Sequence, residues 1–161
     1  MRIALHEPDI AGNVGTIIRL GACMGVPVDL IEPMGFAWSA RALARSGMDY
    51  ADAADVTRHA DWDAFRRATE GRIVLATTRG ATLLPDMTFH ADDVLLFGSE
   101  GAGAPPHVHA AADVAVRVPM RSGFRSLNIA VSTAIIVGEA MRQTGWCLGQ
   151  GLPPASGTMA D

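Results

Sequence analysis

Lysine is absent: all thirteen basic residues are arginine. A guanidinium makes planar, two-point contacts with carboxylates and phosphates that an ammonium cannot. Any anion recognition here is therefore arginine work, although a coding bias gives the same count. Positive charge in excess is lacking too, since 17 acidic residues leave a net charge of −4. That excludes RNA held by the whole surface, and any RNA contact must be local. Cysteine is scarce. Cys23 and Cys147, with no leader pattern ahead of them, read as reduced thiols rather than a disulfide framework. The five histidines, at 6, 59, 90, 107 and 109, are scattered, and His107 and His109 do not share a helix face, so no metal is expected. The longest uncharged apolar stretch, within 127–138, falls short of the ~20 residues that span a bilayer. The N-terminus has no basic, apolar, small-residue signal. The expectation is a soluble cytoplasmic protein without membrane contact.

The length, 161 residues, suits one domain with a proper core. Strands are read at Arg2–His6, Val26–Ile31, Arg72–Thr77, Asp93–Phe97 and Val114–Val118. Between them, Asn13 is placed to cap a helix over Val14–Met24 and Ser39 a short helix to about Arg45, and Asp61-Trp62-Asp63-Ala64-Phe65 starts another. The last helix is expected after Ser126 as N-cap. It is apolar on nearly every face, with small residues at Ala130, Ala134 and Gly138, and so should be covered on all sides. Five or six strands alternating with helices give an α/β fold: an open, mostly parallel sheet with helices on both faces. The domain is drawn at 1–148, and the Gly/Pro/Ser-rich tail 149–161 is expected to be disordered.

In such a sheet, ligands sit beyond the carboxyl ends of the strands. Three loops there carry polar and glycine-rich sequence. The first, His6 to Arg19, lacks both the dinucleotide G-x-G-x-x-G spacing and the phosphate-loop lysine. The second, Phe97-Gly98-Ser99-Glu100-Gly101-Ala102-Gly103-Ala104-Pro105, has three glycines that would let a flat ligand lie against bare backbone. The third, Pro119 to Asn128, sets Arg121 and Arg125 beside a helix N-terminus, an arrangement suited to a carboxylate or phosphate. Taken singly, each loop is also compatible with an ordinary solvated turn.

Asn13-Val14-Gly15 with Arg19, the 97–105 loop, and Val118-Pro119-Met120 followed by Arg125-Ser126-Leu127-Asn128 resemble, in order, the three motifs of the SPOUT-class RNA 2′-O-ribose methyltransferases. The passage Leu30 to Trp38 and the segment Gly47-Met48-Asp49-Tyr50 are similar to their small single-domain branch, the TrmL/YibK-like tRNA wobble-nucleotide enzymes. The resemblance covers about residues 1–147. It implies a deep C-terminal trefoil knot (an α/β-knot), S-adenosylmethionine as methyl donor, no metal, and a homodimer. It also implies tRNA as substrate, methylated on the ribose 2′-hydroxyl of the wobble cytidine or uridine, with leucine isoacceptors first in line. Carried over by motif, cofactor contacts fall to Ala76, Thr77, Gly98, Gly103, Val118, Met120 and Ser126. Catalytic and substrate roles fall to Arg19, Glu100, Arg125 and Asn128. Two departures stand out: Ala102 where relatives often have arginine, and Gly138 where the branch often has tyrosine. They leave room for a non-catalytic RNA- or nucleotide-binding domain of the same fold. An rRNA 2′-O-methyltransferase is a further alternative, usually carrying an N-terminal RNA-binding domain that this chain is expected to lack.

Overall fold

The computed structural model describes residues 1–38 and 54–145. The expected helix from Ser39 to Arg45, the segment Gly47–Tyr50, Cys147 and the tail 149–161 lie outside the described residues.

The chain runs β1 (Arg2–His6), α1 (Ala11–Met24), β2 (Val28–Ile31), β3 (Val56–His59), α2 (Trp62–Ala68), β4 (Ile73–Ala76), β5 (Thr82–Leu83), β6 (Val94–Phe97), α3 (Pro106–Ala111), β7 (Val114–Arg117) and α4 (Ile129–Thr144). The strands form one seven-stranded sheet in the order β3-β2-β1-β6-β4-β7-β5, with every registered pair parallel. The unbroken aliphatic runs explain this arrangement. β2 and β6 bury all four of their residues, as strands covered on both faces must.

One face of the sheet, with Ile3, Leu5, Leu30, Leu95 and Phe97, packs in the same core as Ile17 of α1 and Ile136 and Val137 of α4. The other, with Ala4, Ile31, Leu75 and Leu96, packs with Phe65 of α2 and Val108 of α3. β1 steps outward to β2 and β3 on one side, while β6 lies between β1 and β4. The strand order therefore reverses beside β1, opening a crevice at the carboxyl edge.

Several expectations change in detail. Two strands go beyond the sequence reading. β3 is a half-polar strand with two exposed residues at the sheet edge, and β5 has only two residues, so neither carries an apolar run. α1 begins at Ala11, with Ile10 at the cap position and no side-chain cap bond, so Asn13 lies inside the first turn rather than capping it. α1 closes at Gly25, whose left-handed φ of 66° suits a residue without Cβ. α4 is capped by Asn128, not Ser126: the Asn128 side chain accepts from the N–H groups of Ala130 and Val131. Nor is α4 covered on all sides, because Val131 and Ile135 stay 48% and 39% exposed. Of its small residues Ala130 is buried and Ala134 exposed, and a Cβ on Gly138 would meet nothing within 4 Å.

Candidate active site

Where β4, β6 and β7 end, the chain leaves the sheet in three loops. With the first two turns of α4 they enclose a cavity of about 550 Å³. Phe97, Val116, Leu127 and Ile136 give it apolar walls, and Thr77, Thr78, Ser99 and Ser132 give it hydroxyls. Ten of the eleven residues singled out in the sequence line it: Ala76, Thr77, Gly98, Glu100, Gly103, Val118, Met120, Arg125, Ser126 and Asn128. Segments some 50 residues apart in sequence thus meet at one place.

A relay of side chains ties the loops after β6 and β7 to the segment between β1 and α1. Asn128 donates from Nδ2 to Oδ1 of Asn13 at 3.0 Å while its own Oδ1 caps α4. Asn13 donates in turn from Nδ2 to Oε1 of Glu100 at 2.9 Å, and the other carboxylate oxygen accepts from the Asp9 main-chain N–H at 2.8 Å. Asp9 returns the link, its Oδ2 accepting from the Gly101 N–H at 2.9 Å. Both oxygens of Glu100 are therefore occupied in bracing the 98–104 loop against the start of α1. Asn128 likewise fixes the loop after β7 to the first turn of α1.

Gly98 serves the loop in a different way from the one expected. A Cβ there would lie 2.2 Å from the Ala104 nitrogen and 2.4 Å from the Gly103 carbonyl carbon. The bare face of Gly98 is used by the loop folding back on itself, a turn completed by Gly103 at φ 72° and by its N–H bond to the Ser99 carbonyl.

Arg19 stands apart. It is exposed on α1, has an interaction partner of its own, and does not line the cavity. The cavity does contain arginines: Arg79, Arg117 and Arg125. Sequence reasoning missed Asp9, Arg79 and His109 as members of the site's surroundings. Asp9 sits inside the quoted first loop, but only its partner 92 positions away reveals its use. Ala102 lines the cavity, so the departure from the arginine common in relatives bears on it directly.

A group that could gather metal-ligand atoms, His90, Asp92 and Asp93, lies at the amino end of β6, at the opposite edge from the cavity. There Asp93 is engaged by Arg72 at 2.8 and 2.7 Å and by the His90 N–H.

Residues 1–138 match the SpoU rRNA Methylase family. The chain belongs to that family. A curated relative from Ancylobacter novellus, named tRNA (cytidine(34)-2'-O)-methyltransferase, is 49% identical over 148 residues, covering 90% of this chain and 94% of the relative. A solved structure described as "Structural insights into the 2-OH methylation of C/U34 on tRNA" superposes with a TM-score of 0.84 at 36% identity, over 88% of this chain and 94% of that one. A second solved structure, an AdoMet-bound rRNA methyltransferase from Sinorhizobium meliloti, gives a TM-score of 0.78 at 29% identity, over 88% of this chain and 55% of that one. The all-parallel sheet with helices on both faces is thus the fold of SpoU methyltransferases. Among the described residues, no helix is long and apolar enough to cross a membrane.

Proposed function

We propose that this chain transfers the methyl group of S-adenosylmethionine to the ribose 2′-hydroxyl of the wobble pyrimidine, position 34, of tRNA, as its relative's name indicates. The observation that carries the reading is the gathering of ten motif residues around one cavity at the reversal point of a parallel sheet. The residues present fit the cofactor. A volume of about 550 Å³ lies within the ~300–1,000 Å³ range of small-molecule sites. Apolar walls suit an adenine, and the main chain of the 98–104 turn and the hydroxyls of Thr77 and Ser126 suit polar groups. When bound, S-adenosylmethionine supplies an electrophilic methyl on a sulfonium, so the protein's task is mainly alignment.

Alignment is what the relay provides. Asn128, Asn13 and Glu100 lock the second and third loops in register, so the walls are set before ligand enters. Arg125, lining the cavity three residues before the α4 cap, holds an RNA phosphate or ribose there. Arg19 is assigned to the same reaction, orienting the neighbouring phosphate or lowering the pKa of the hydroxyl, since a guanidinium stays protonated and is a poor base.

The reading includes a homodimer. Ile10, Phe124, Leu127, Val131 and Ile135 are exposed, and two of them, Ile10 and Leu127, also line the cavity. An apolar surface continuous with the mouth of a site favours a partner that covers both. In that assembly Arg19, which does not line its own chain's cavity, acts in the partner's. The C-terminal segment passing through the loops would form the trefoil knot implied by the family, and the cytoplasm, where tRNA matures, is the compartment this reading calls for.

The test is direct. Wild-type protein, S-adenosylmethionine and unmodified tRNA, leucine isoacceptors first, are incubated, and the tRNA is digested and mapped by mass spectrometry. A 2′-O-methyl at position 34 is expected. Cofactor binding by calorimetry with no methyl placed on any tRNA would return the chain to a binding domain, and methyl appearing on rRNA alone would move the substrate class.

A further inference from the structure

A second feature of the carboxyl edge is unused by the cavity. Along β1, Ile3 and Leu5 join the core with α1 and α4, whereas Ala4 joins the core with α2 and α3. By strand alternation His6 emerges on the face of Ala4. It is 1% exposed, and its Nε2 is, among the described residues, the buried side-chain nitrogen or oxygen without a hydrogen-bond partner. The nearest candidate, Glu7 Oε1, is 4.0 Å away, too far for a bond.

Two further rings surround this imidazole. Trp62 of α2 lies 5.6 Å from it, His107 of α3 lies 5.9 Å from it, and Trp62 and His107 are 6.0 Å apart, all edge to face. Trp62 is half-buried, His107 is exposed, and the Arg66 guanidinium stands 6.0 Å from the Trp62 ring. The Gly98–Pro105 loop joins this cluster to the cavity: it forms one cavity wall and leads into α3, where His107 faces the rings and His109 lines the cavity.

We infer that Trp62, His107 and His6 form a stacking site for an unpaired base of the RNA substrate, next to the nucleotide that reacts. The inference rests on the functional reading above. Unpaired RNA bases are held by stacking on aromatic and imidazole rings and by bonds to their edges, and a guanidinium beside the stack adds cation–π and phosphate contacts. Trp62 and His107 supply the surface, Arg66 the cation, and the buried His6 an edge partner. Burial pushes the His6 pKa down, so at neutral pH the ring is uncharged, with one nitrogen donating and the other accepting. The exposed His107 ring can turn aside for an incoming base, and Nε2 then gains the partner it lacks. A chain of net charge −4 also needs RNA contacts that do not depend on positive charge. Stacking supplies such a contact, one that salt weakens little compared with phosphate pairing.

The experiment uses wild-type protein, saturated with S-adenosylhomocysteine, and an anticodon stem–loop RNA in which each loop base in turn is replaced by an abasic nucleotide. Affinity is measured in low and high salt. Wild type should lose roughly 5- to 30-fold at one loop position outside position 34, by the scale of a lost stack. His107→Ala and Trp62→Leu should lose a similar factor on the intact loop and little more on that abasic RNA, and His107→Phe should restore most of it. The loss should be nearly the same at both salt concentrations, and S-adenosylmethionine affinity should be unchanged. If wild type methylates tRNA but His107→Ala and Trp62→Leu bind every RNA as wild type does, the stacking site is wrong while the functional reading stands. Losses that simply multiply between variant and abasic RNA also overturn it. If wild type methylates no RNA, the functional reading fails, and the stacking site with it.

Discussion

Asn128 and Asn13, 115 positions apart, share a hydrogen bond of 3.0 Å, and through it the cap of α4 is tied to the first turn of α1. Asn128 has two tasks that chemistry can separate. Its Oδ1 accepts from the helix N–H groups, and its Nδ2 donates to Asn13. Asn128→Asp keeps an acceptor for the cap but cannot donate, whereas Asn128→Ala loses both. Thermal unfolding should show the alanine variant destabilised by about 1 kcal/mol and the aspartate variant by much less. Calorimetry should show S-adenosylmethionine binding weakened in both. Equal stability losses with unaltered cofactor affinity would make Asn128 a helix cap and nothing more.

Gly98 and Gly138 should respond in opposite directions. At Gly98 a methyl group would overlap the backbone of Gly103 and Ala104, so Gly98→Ala must open the turn, at a cost of about 1–3 kcal/mol or more, with cofactor binding lost alongside. At Gly138 the space is open and the residue is inside a helix. Gly138→Ala should gain about 0.5–1 kcal/mol in chemical denaturation, because alanine loses less backbone entropy there. A Gly98→Ala protein as stable as wild type would disprove the close approach.

Complementation tests the assignment of Arg19. Arg19→Ala and Arg125→Ala should each lower turnover by roughly 100-fold, the scale of one lost electrostatic group. If Arg19 serves the partner's cavity and Arg125 its own, a mixed dimer of the two variants has one site with both arginines. Equal mixing after exchange of subunits should then restore roughly a quarter of wild-type activity. Recovery confined to the sum of the separate variants would keep both arginines on one chain. Ile135→Asp, placing charge on the exposed face of α4, should yield monomer mass by light scattering and the same loss of turnover.

His6 makes stability depend on pH. Burial lowers its pKa from the ordinary 6.5, so below that value the unfolded chain takes up a proton that the folded chain refuses. The stabilisation is complete above pH 6.5 and is lost as pH falls from there towards the lowered folded value. Urea unfolding at pH 7.5 and 5.5 should show wild type losing more stability than His6→Phe, which keeps an aromatic ring but does not titrate. Identical losses in both proteins would place the pH dependence elsewhere.

The sheet was legible because the middles of β1, β4 and β6 are aliphatic runs that a covered sheet buries. β3 was not, since Thr57 and Arg58 face solvent at the edge and leave no apolar pattern to read. Caps went astray at both long helices for one reason: Asn13 and Ser126 are cap-type residues by local sequence, but Asn13 is engaged by Glu100 from 87 positions away, and the helix starts where Asn128 can serve it. The motifs located the cavity, yet they could not say that Glu100 braces a loop or that Arg19 does not line the cavity of its own chain. Those are facts about distant partners, and a linear pattern does not hold them.

The relay also fixes when, in the life of the chain, the site can exist. All seven strands are present once Arg117 has been made, so a sheet can be complete while the polypeptide is still being extended. Asp9 and Asn13, among the first residues synthesised, can then engage Glu100, but the loop after β7 stays untied until Asn128 reaches Asn13. A ribosome-bound chain stopped short of that asparagine would have its strands but neither the site nor the α4 side chains that complete one core. Domains fold as units during synthesis, and here competence is acquired after the scaffold, on arrival of a single late segment.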